Sequence, residues 1–157
     1  MKNIYFPEET IGFNEIFFVC YMIERTARHI KQRNRYVVEH LADEGLKRQL
    51  SIANTIHSMN PEQVVADWIE EYGLKQGDFD ITVVDHRFTD KVPTDIQMGK
   101  VYARLIQSVA SDNESLSATI RSVYASPICD VIDNYNSSAY YEPSYVQTRA
   151  YYAGAFI

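Results

Sequence analysis

Apolar residues in this chain recur mainly at steps of three and four, the spacing of one face of a helix. Between Gly12 and about Gln32 they fall at Phe13, Ile16, Phe17, Cys20, Ile23, Ala27 and Ile30, and the run from Ile16 to Ile23 is apolar on every side. A helix that is hydrophobic all round belongs inside its bundle, so this segment is expected to be the central helix, with Phe17 buried. Asn34 stands where an N-cap is wanted for a short helix through Val37, Val38 and Leu41, and Gly45 is expected to end it as a left-handed stop. A third helix is expected from about Leu46 to His57, with Leu50, Ala53 and Ile56 inward. The clearest start signal follows. Asn60 can cap, Pro61 suits the first helical position and Gln63 completes a capping-box spacing. Val64, Val65, Trp68, Ile69 and Tyr72 then form a buried stripe up to Gly73.

Residues 74–94 interrupt the pattern. "FDITVV" is rich in strand formers but has no partner strand, and a lone strand leaves its backbone unpaired. A long irregular connection is therefore expected, with room for one short strand or hairpin at most. Beyond it, Thr94 and Gln97 form a second capping box ahead of Met98, Tyr102, Leu105, Ile106 and Val109. Leu116, Ile120, Val123 and Tyr124 mark the next face. Pro127 is costly in a helix interior, so a kink or a fresh start is expected there, with Ile128, Val131, Ile132 and Tyr135 inward. Glu142-Pro143-Ser144 opens a last helix that ends near Gly154. The pattern predicts an all-α protein of six or seven helices in two small packed bundles, residues 1–76 and 77–157, the second with a tyrosine-rich tail, a division that also allows one compact unit.

Composition narrows the function classes. The apolar run at residues 16–23 is far shorter than the roughly twenty residues that span a bilayer, and no secretory pattern opens the chain. A soluble cytoplasmic protein, without membrane association, is expected. Cys20 and Cys129 both sit in apolar helical patterns and are expected to be buried, reduced thiols. His29, His40, His57 and His86 lack the paired spacing of a metal site, so no metal is expected. No nucleophile elbow and no phosphate-cradling glycine loop occurs. No cofactor is expected, and catalysis is left to a dispersed active site.

Charge is unevenly spread within a net −6: residues 24–50 carry seven Lys/Arg against four acids, and residues 51–95 carry three against nine. Arg25, Arg28, Lys31 and Arg35 share a flank of a helix-turn-helix-like segment, which makes them the alternative nucleic-acid face. The overall acidity opposes that use, because phosphate neutralisation dominates such binding. Six of the twelve tyrosines fall between Val131 and Ile157. Tyr102, Tyr124 and Tyr135 share faces with aliphatics and are expected at the edge of the core, hydroxyls wet. Tyr140, Tyr141, Tyr145, Tyr151 and Tyr152 spread around the terminal helix and cannot all face one core. Tyrosine concentrates at interfaces, so Tyr140, Tyr141, Tyr145 and Arg149 are expected to form a protein-facing surface.

Residues 13–74, "FNEIFFVCYMIERTARH…VVEHLADEGLKRQL…IHSMNPEQVVADWIEEYGL", resemble a family of short, uncharacterised all-helical bacterial proteins. Their pattern is an apolar first helix, a small helix-turn segment and a helix pair closing on an acidic end. "GKVYARLI" and "DVIDNYNSSAYYEPSY" are similar to a pattern in longer relatives. Some members are encoded beside ADP-ribosyltransferase-like toxin genes. The resemblance implies a partner role, toxin-neutralising or regulatory, and brings no catalytic residues. The expected function is thus a protein-binding module whose partner is another protein, with a homo-oligomer compatible. A helix-turn-helix-like DNA-binding regulator is the first alternative and an enzyme with a dispersed site the second.

Overall fold

The computed structural model describes residues 2–157 and is all-helical. Among the described residues there are seven α-helices: α1 Phe13–Ile30, α2 Asn34–Ile56, α3 Pro61–Tyr72, α4 Asp95–Val109, α5 Leu116–Ala125, α6 Pro127–Ile132 and α7 Ser144–Ala153. A 3-10 turn, Ala139–Tyr141, precedes α7. Extended pairing is confined to one isolated bridge, Lys2 with Thr10. No helix among the described residues is long and apolar enough to cross a membrane.

The fold is organised around α1, as its sequence pattern requires. Val19, Cys20, Met22, Ile23 and Ala27 are wholly excluded from solvent, and α1 packs against α4 on one side and α2 on another, with α3 alongside. The α1–α4 approach is set by Gly99: a Cβ built there would stand 2.9 Å from the backbone N and Cα of Tyr21. Only the absence of a side chain lets the two backbones come that close. The resulting core is continuous from Ile11 through Trp68 and Tyr102 to Ala150.

Phe17 is not in that core. It is half-buried and lines a surface groove of ≈420 Å³ with Phe18 and Tyr21 of α1, His57 just past the end of α2 and Ile96 of α4. The apolar arc of α1 is wider than its three neighbours cover, so the flank carrying Phe17, Phe18 and Tyr21 is left partly open.

The break expected at Gly45 lies three residues earlier. Within α2, Ala42 adopts φ 57° and ψ −172°, a region otherwise occupied almost only by glycine, while Gly45 is helical. Gly45 is there for space. A Cβ would meet Tyr72 Cε1 at 2.8 Å, so the glycine admits the α3 tyrosine. Nor is Asn34 the cap: Arg33 occupies that position and Asn34 is the first helical residue, fully buried.

Other termini follow their sequence signals. Asn60 Oδ1 accepts from the Glu62 N–H at 3.0 Å, although Gln63 donates to Asp67 across one turn and closes no box. Thr94 and Gln97 form the full reciprocal box at 2.7 and 3.0 Å. Ser115 caps α5, Pro127 starts α6 and Gly154 ends α7 at φ 81°.

Residues 74–94 contain no strand and are tied down instead as a cap on α1. The Gly77 and Phe79 N–H groups donate to the carbonyls of Ile30 and Lys31 at 2.8 and 2.9 Å, which satisfies acceptors that a helix end leaves orphaned. Lys31 pairs with Asp80 at 3.0 Å. The Arg33 guanidinium lies 4.0 Å from the Phe79 ring centre.

The left-handed Ala42 is exposed and needs no side chain. Ala42→Gly should therefore stabilise the protein by about 1 kcal/mol, the relieved strain exceeding the added chain entropy. In an ordinary helix interior the same change would cost about that much. Urea unfolding of the variant decides between the two.

Candidate functional site

Two clusters have site-like properties, one at the surface and one inside. The surface cluster begins with the expected partner residues. Tyr141 and Tyr145 are 67% and 71% exposed, Arg149 is exposed, and Tyr140 is half-buried. Tyr145, Arg149 and Tyr152 fall at i, i+4 and i+7 of α7 and make its outward stripe, Tyr152 being 69% exposed. Tyr140 stands edge-on to Tyr141 at 4.8 Å and to the buried Tyr135 at 5.5 Å. Gln147 fixes this turn from below: its Nε2 donates to the carbonyls of Ala139 and Tyr140 at 2.9 and 3.1 Å. Between the turn and α4 runs a cleft of ≈390 Å³, walled by Gln97, Lys100, Val101 and Arg104 on one side and Tyr140, Tyr141 and Ser144 on the other. Lys100 and Arg104 were not read as site residues from the sequence. Their signal is the outward i, i+3, i+7 spacing of Gln97, Lys100 and Arg104 on α4, visible only once α7 supplies the opposite wall.

The alternative nucleic-acid residues are dispersed into internal pairs. Arg25 meets Asp95 at 3.4 Å, Lys31 meets Asp80 at 3.0 Å and Arg35 meets Asp130 at 3.0 Å. Arg28 donates to Glu24 and to the Pro93 carbonyl, both at 2.8 Å. The four cations are spent holding α1 and α2 to the connection, α4 and α6.

The interior cluster is the one the sequence reading missed. Glu24 and Asn34 are fully buried, and Asn34 Nδ2 donates to both Glu24 Oε1 at 2.9 Å and Asp133 Oδ2 at 3.1 Å. Tyr135 donates to Glu24 Oε2 at 2.8 Å, Tyr102 to Asp133 Oδ1 at 2.6 Å, and the Cys129 thiol to Asp133 Oδ2 at 3.4 Å. Tyr102 stacks on Tyr124 at 4.3 Å, whose hydroxyl faces the Cys20 thiol. The hydroxyls of Tyr102, Tyr124 and Tyr135 are thus dry and engaged, not wet at a core edge. One signal could have revealed the cluster. Glu24 lies four residues after Cys20 and three before Ala27, which puts a carboxylate on the buried face of α1.

The electrostatics follow from the donor set. Glu24 has Arg28 beside it, whereas Asp133 has only neutral donors. Burial, with the Glu24 charge behind it, pushes the Asp133 carboxyl up to about 7. Burial also holds the three tyrosines protonated, pushes the Cys20 thiol up to about 12 and raises that of Cys129. Such thiols are inert, because the thiolate is the nucleophile. Each oxygen of the two carboxylates already accepts a hydrogen bond from within the chain. The cluster joins α1, α2, α4 and α6.

The four histidines are all exposed, and no group of three metal-ligating side chains occurs among the described residues. Comparison with protein-family models, with curated proteins and with solved structures finds no match.

Two outcomes test the interior cluster. An aspartate unfolded has a pKa near 3.9 and Asp133 folded one of about 7, so between those values the native state holds a proton that the unfolded chain has lost. Its contribution to stability is greatest below about pH 4 and falls as pH rises to about 7. Urea unfolding across that window should show this decline, and Asp133→Asn should flatten it. Separately, Asn34→Ala should cost about 3 kcal/mol or more, as for a broken buried network; loss of a helix cap would cost only about 1.

Proposed function

We propose that this chain is a protein-binding module that works through the face built by the 3-10 turn and α7. The observation that carries the reading is the outward set of Tyr141, Tyr145 and Tyr152, each more than two-thirds exposed, beside Arg149. Tyrosine and arginine are, with tryptophan, the residues enriched among those that dominate binding energy. Gln147 and the Tyr135–Tyr140 contact fix the turn here. The more specific form of the proposal is a toxin-neutralising or regulatory partner, which rests on the resemblance of residues 13–74.

The other two function classes find less support. The basic flank has its cations in internal pairs, which leaves few for phosphates. The oxygens of Glu24 and Asp133 each accept hydrogen bonds from within the chain, which supports a structural use for the pair.

The test separates folding from binding. Tyr141→Ala with Tyr145→Ala should leave the unfolding midpoint in place, since surface changes of this kind stay within about 0.5 kcal/mol. The same pair should weaken the complex recovered by affinity capture by at least about tenfold, equivalent to roughly 1.4 kcal/mol. Melting of the variant, or retention of the complex at full strength, removes the face from consideration.

A further inference from the structure

Among the described residues, the seven ion pairs of Lys and Arg all draw their cation from residues 25–87. Among the described residues, Lys100, Arg104 and Arg149 pair with no acid, as do Lys2, Arg33, Lys75, Lys91 and Arg121, although acids outnumber Lys and Arg by 21 to 15. Lys100 and Arg104 stand one turn apart on the α4 wall of the ≈390 Å³ cleft, facing Tyr140 and Tyr141. Val101 and the Tyr140 ring supply apolar surface between them, and Gln97 and Ser144 supply further hydrogen-bonding groups. Glu142 is the one acid in the lining, and the Ser138 hydroxyl donates to it at 3.3 Å. The cleft therefore offers a guanidinium and an ammonium with a phenolic wall, on a protein of net charge −6.

We propose that this cleft binds a short acidic segment of a partner protein, with a carboxylate on Arg104 and Lys100 and an apolar side chain against Val101 and Tyr140. The proposal rests on the protein-binding reading of the tyrosine face and adds the chemistry of what is bound. Arginine presents a planar fork that matches a carboxylate, and complementary charge at an exposed cleft sets partner choice and encounter rate. Charge also selects peptide over nucleic acid. A long polyanion would feel the full net −6 of the chain, and few phosphates could be neutralised here. A segment with one or two carboxylates feels chiefly the two local cations.

The experiment uses the whole chain and a fluorescein-labelled synthetic peptide of alternating glutamate and leucine, followed by anisotropy at low salt. A lysine-for-glutamate counterpart and a short oligouridylate serve as comparisons. The glutamate peptide should bind, the lysine peptide should not, and oligouridylate should bind more weakly. Lys100→Glu with Arg104→Glu should weaken the glutamate peptide by about tenfold or more, two charge contacts being lost and reversed. Because both side chains are exposed, the variant should keep its unfolding midpoint. Absence of glutamate-peptide binding, equal binding of the lysine peptide, tighter oligouridylate binding, or indifference to the charge reversal would each overturn the assignment. If the tyrosine pair is needed for the captured complex while the charge-reversed variant retains it, the acidic-segment proposal falls and the protein-binding reading stands. If neither variant affects that complex, the protein-binding reading falls as well.

Discussion

A buried carboxylate, Glu24, and a half-buried one, Asp133, beside a single guanidinium constrain most of this structure. Taking each ion out of water costs several kcal/mol unless hydrogen bonds replace the lost hydration, and the chain supplies those bonds from many directions. Glu24 and Arg28 come from α1, Asn34 from the first position of α2, Tyr102 from α4, and Cys129 and Asp133 from α6 and its end. Tyr135 closes the set from the turn that follows. Apolar packing alone would tolerate small rotations of these helices. A hydrogen-bonded set with an unpaired remainder does not, because each lost donor exposes a buried charge. The set thereby fixes which helix ends meet, and it explains why α1 is both the most apolar element and the carrier of a buried acid.

The same set reaches the surface. Tyr135, held at its hydroxyl by Glu24, presents its ring edge to Tyr140, and Tyr140 in turn meets Tyr141. Gln147 binds the backbone of that turn from α7, and a Ser108–Thr148 hydrogen bond of 2.8 Å ties α7 to α4. The exposed rings therefore sit on a hydrogen-bonded support. Holding a binding surface in place lowers the entropy cost of association. The tyrosines of this chain thus divide by role: Tyr102, Tyr124 and Tyr135 neutralise polar demand inside, while Tyr141, Tyr145 and Tyr152 present area outside.

The helices were legible in the sequence because α1, α3, α4 and α5 each combine three-and-four spacing with a recognisable start or stop. What failed to show was anything decided by space or by distant neighbours. Gly45 reads as a helix stop, since glycine favours left-handed backbone, yet its use is to admit Tyr72, and an alanine takes the left-handed position instead. Asn34 reads as a cap, since asparagine commonly is one, yet its amide faces carboxylates that lie 10 and 99 residues away in sequence. Phe17 reads as core because periodicity cannot tell how wide an arc the neighbours will cover. The exposure of Tyr141 and Tyr145 agrees with their spread around the terminal helix, but the cleft beside them was not legible, for Lys100 and Arg104 come to line it only once the turn before α7 packs opposite them.

Charge placement ties these observations together. Sequence counts put the basic excess in residues 24–50, and a surface of that composition would suggest a polyanion. Folding inverts the inference. The early cations are the ones engaged, Arg28 with the buried Glu24 and Arg25, Lys31 and Arg35 with acids of the connection, α4 and α6. The sparser cations of α4 and α7 remain open, next to exposed phenols. Net charge per segment describes the ionisable groups a chain possesses; ion pairing decides which of them a partner can still reach. In this fold the second quantity points away from the basic stretch and toward the cleft between α4 and α7.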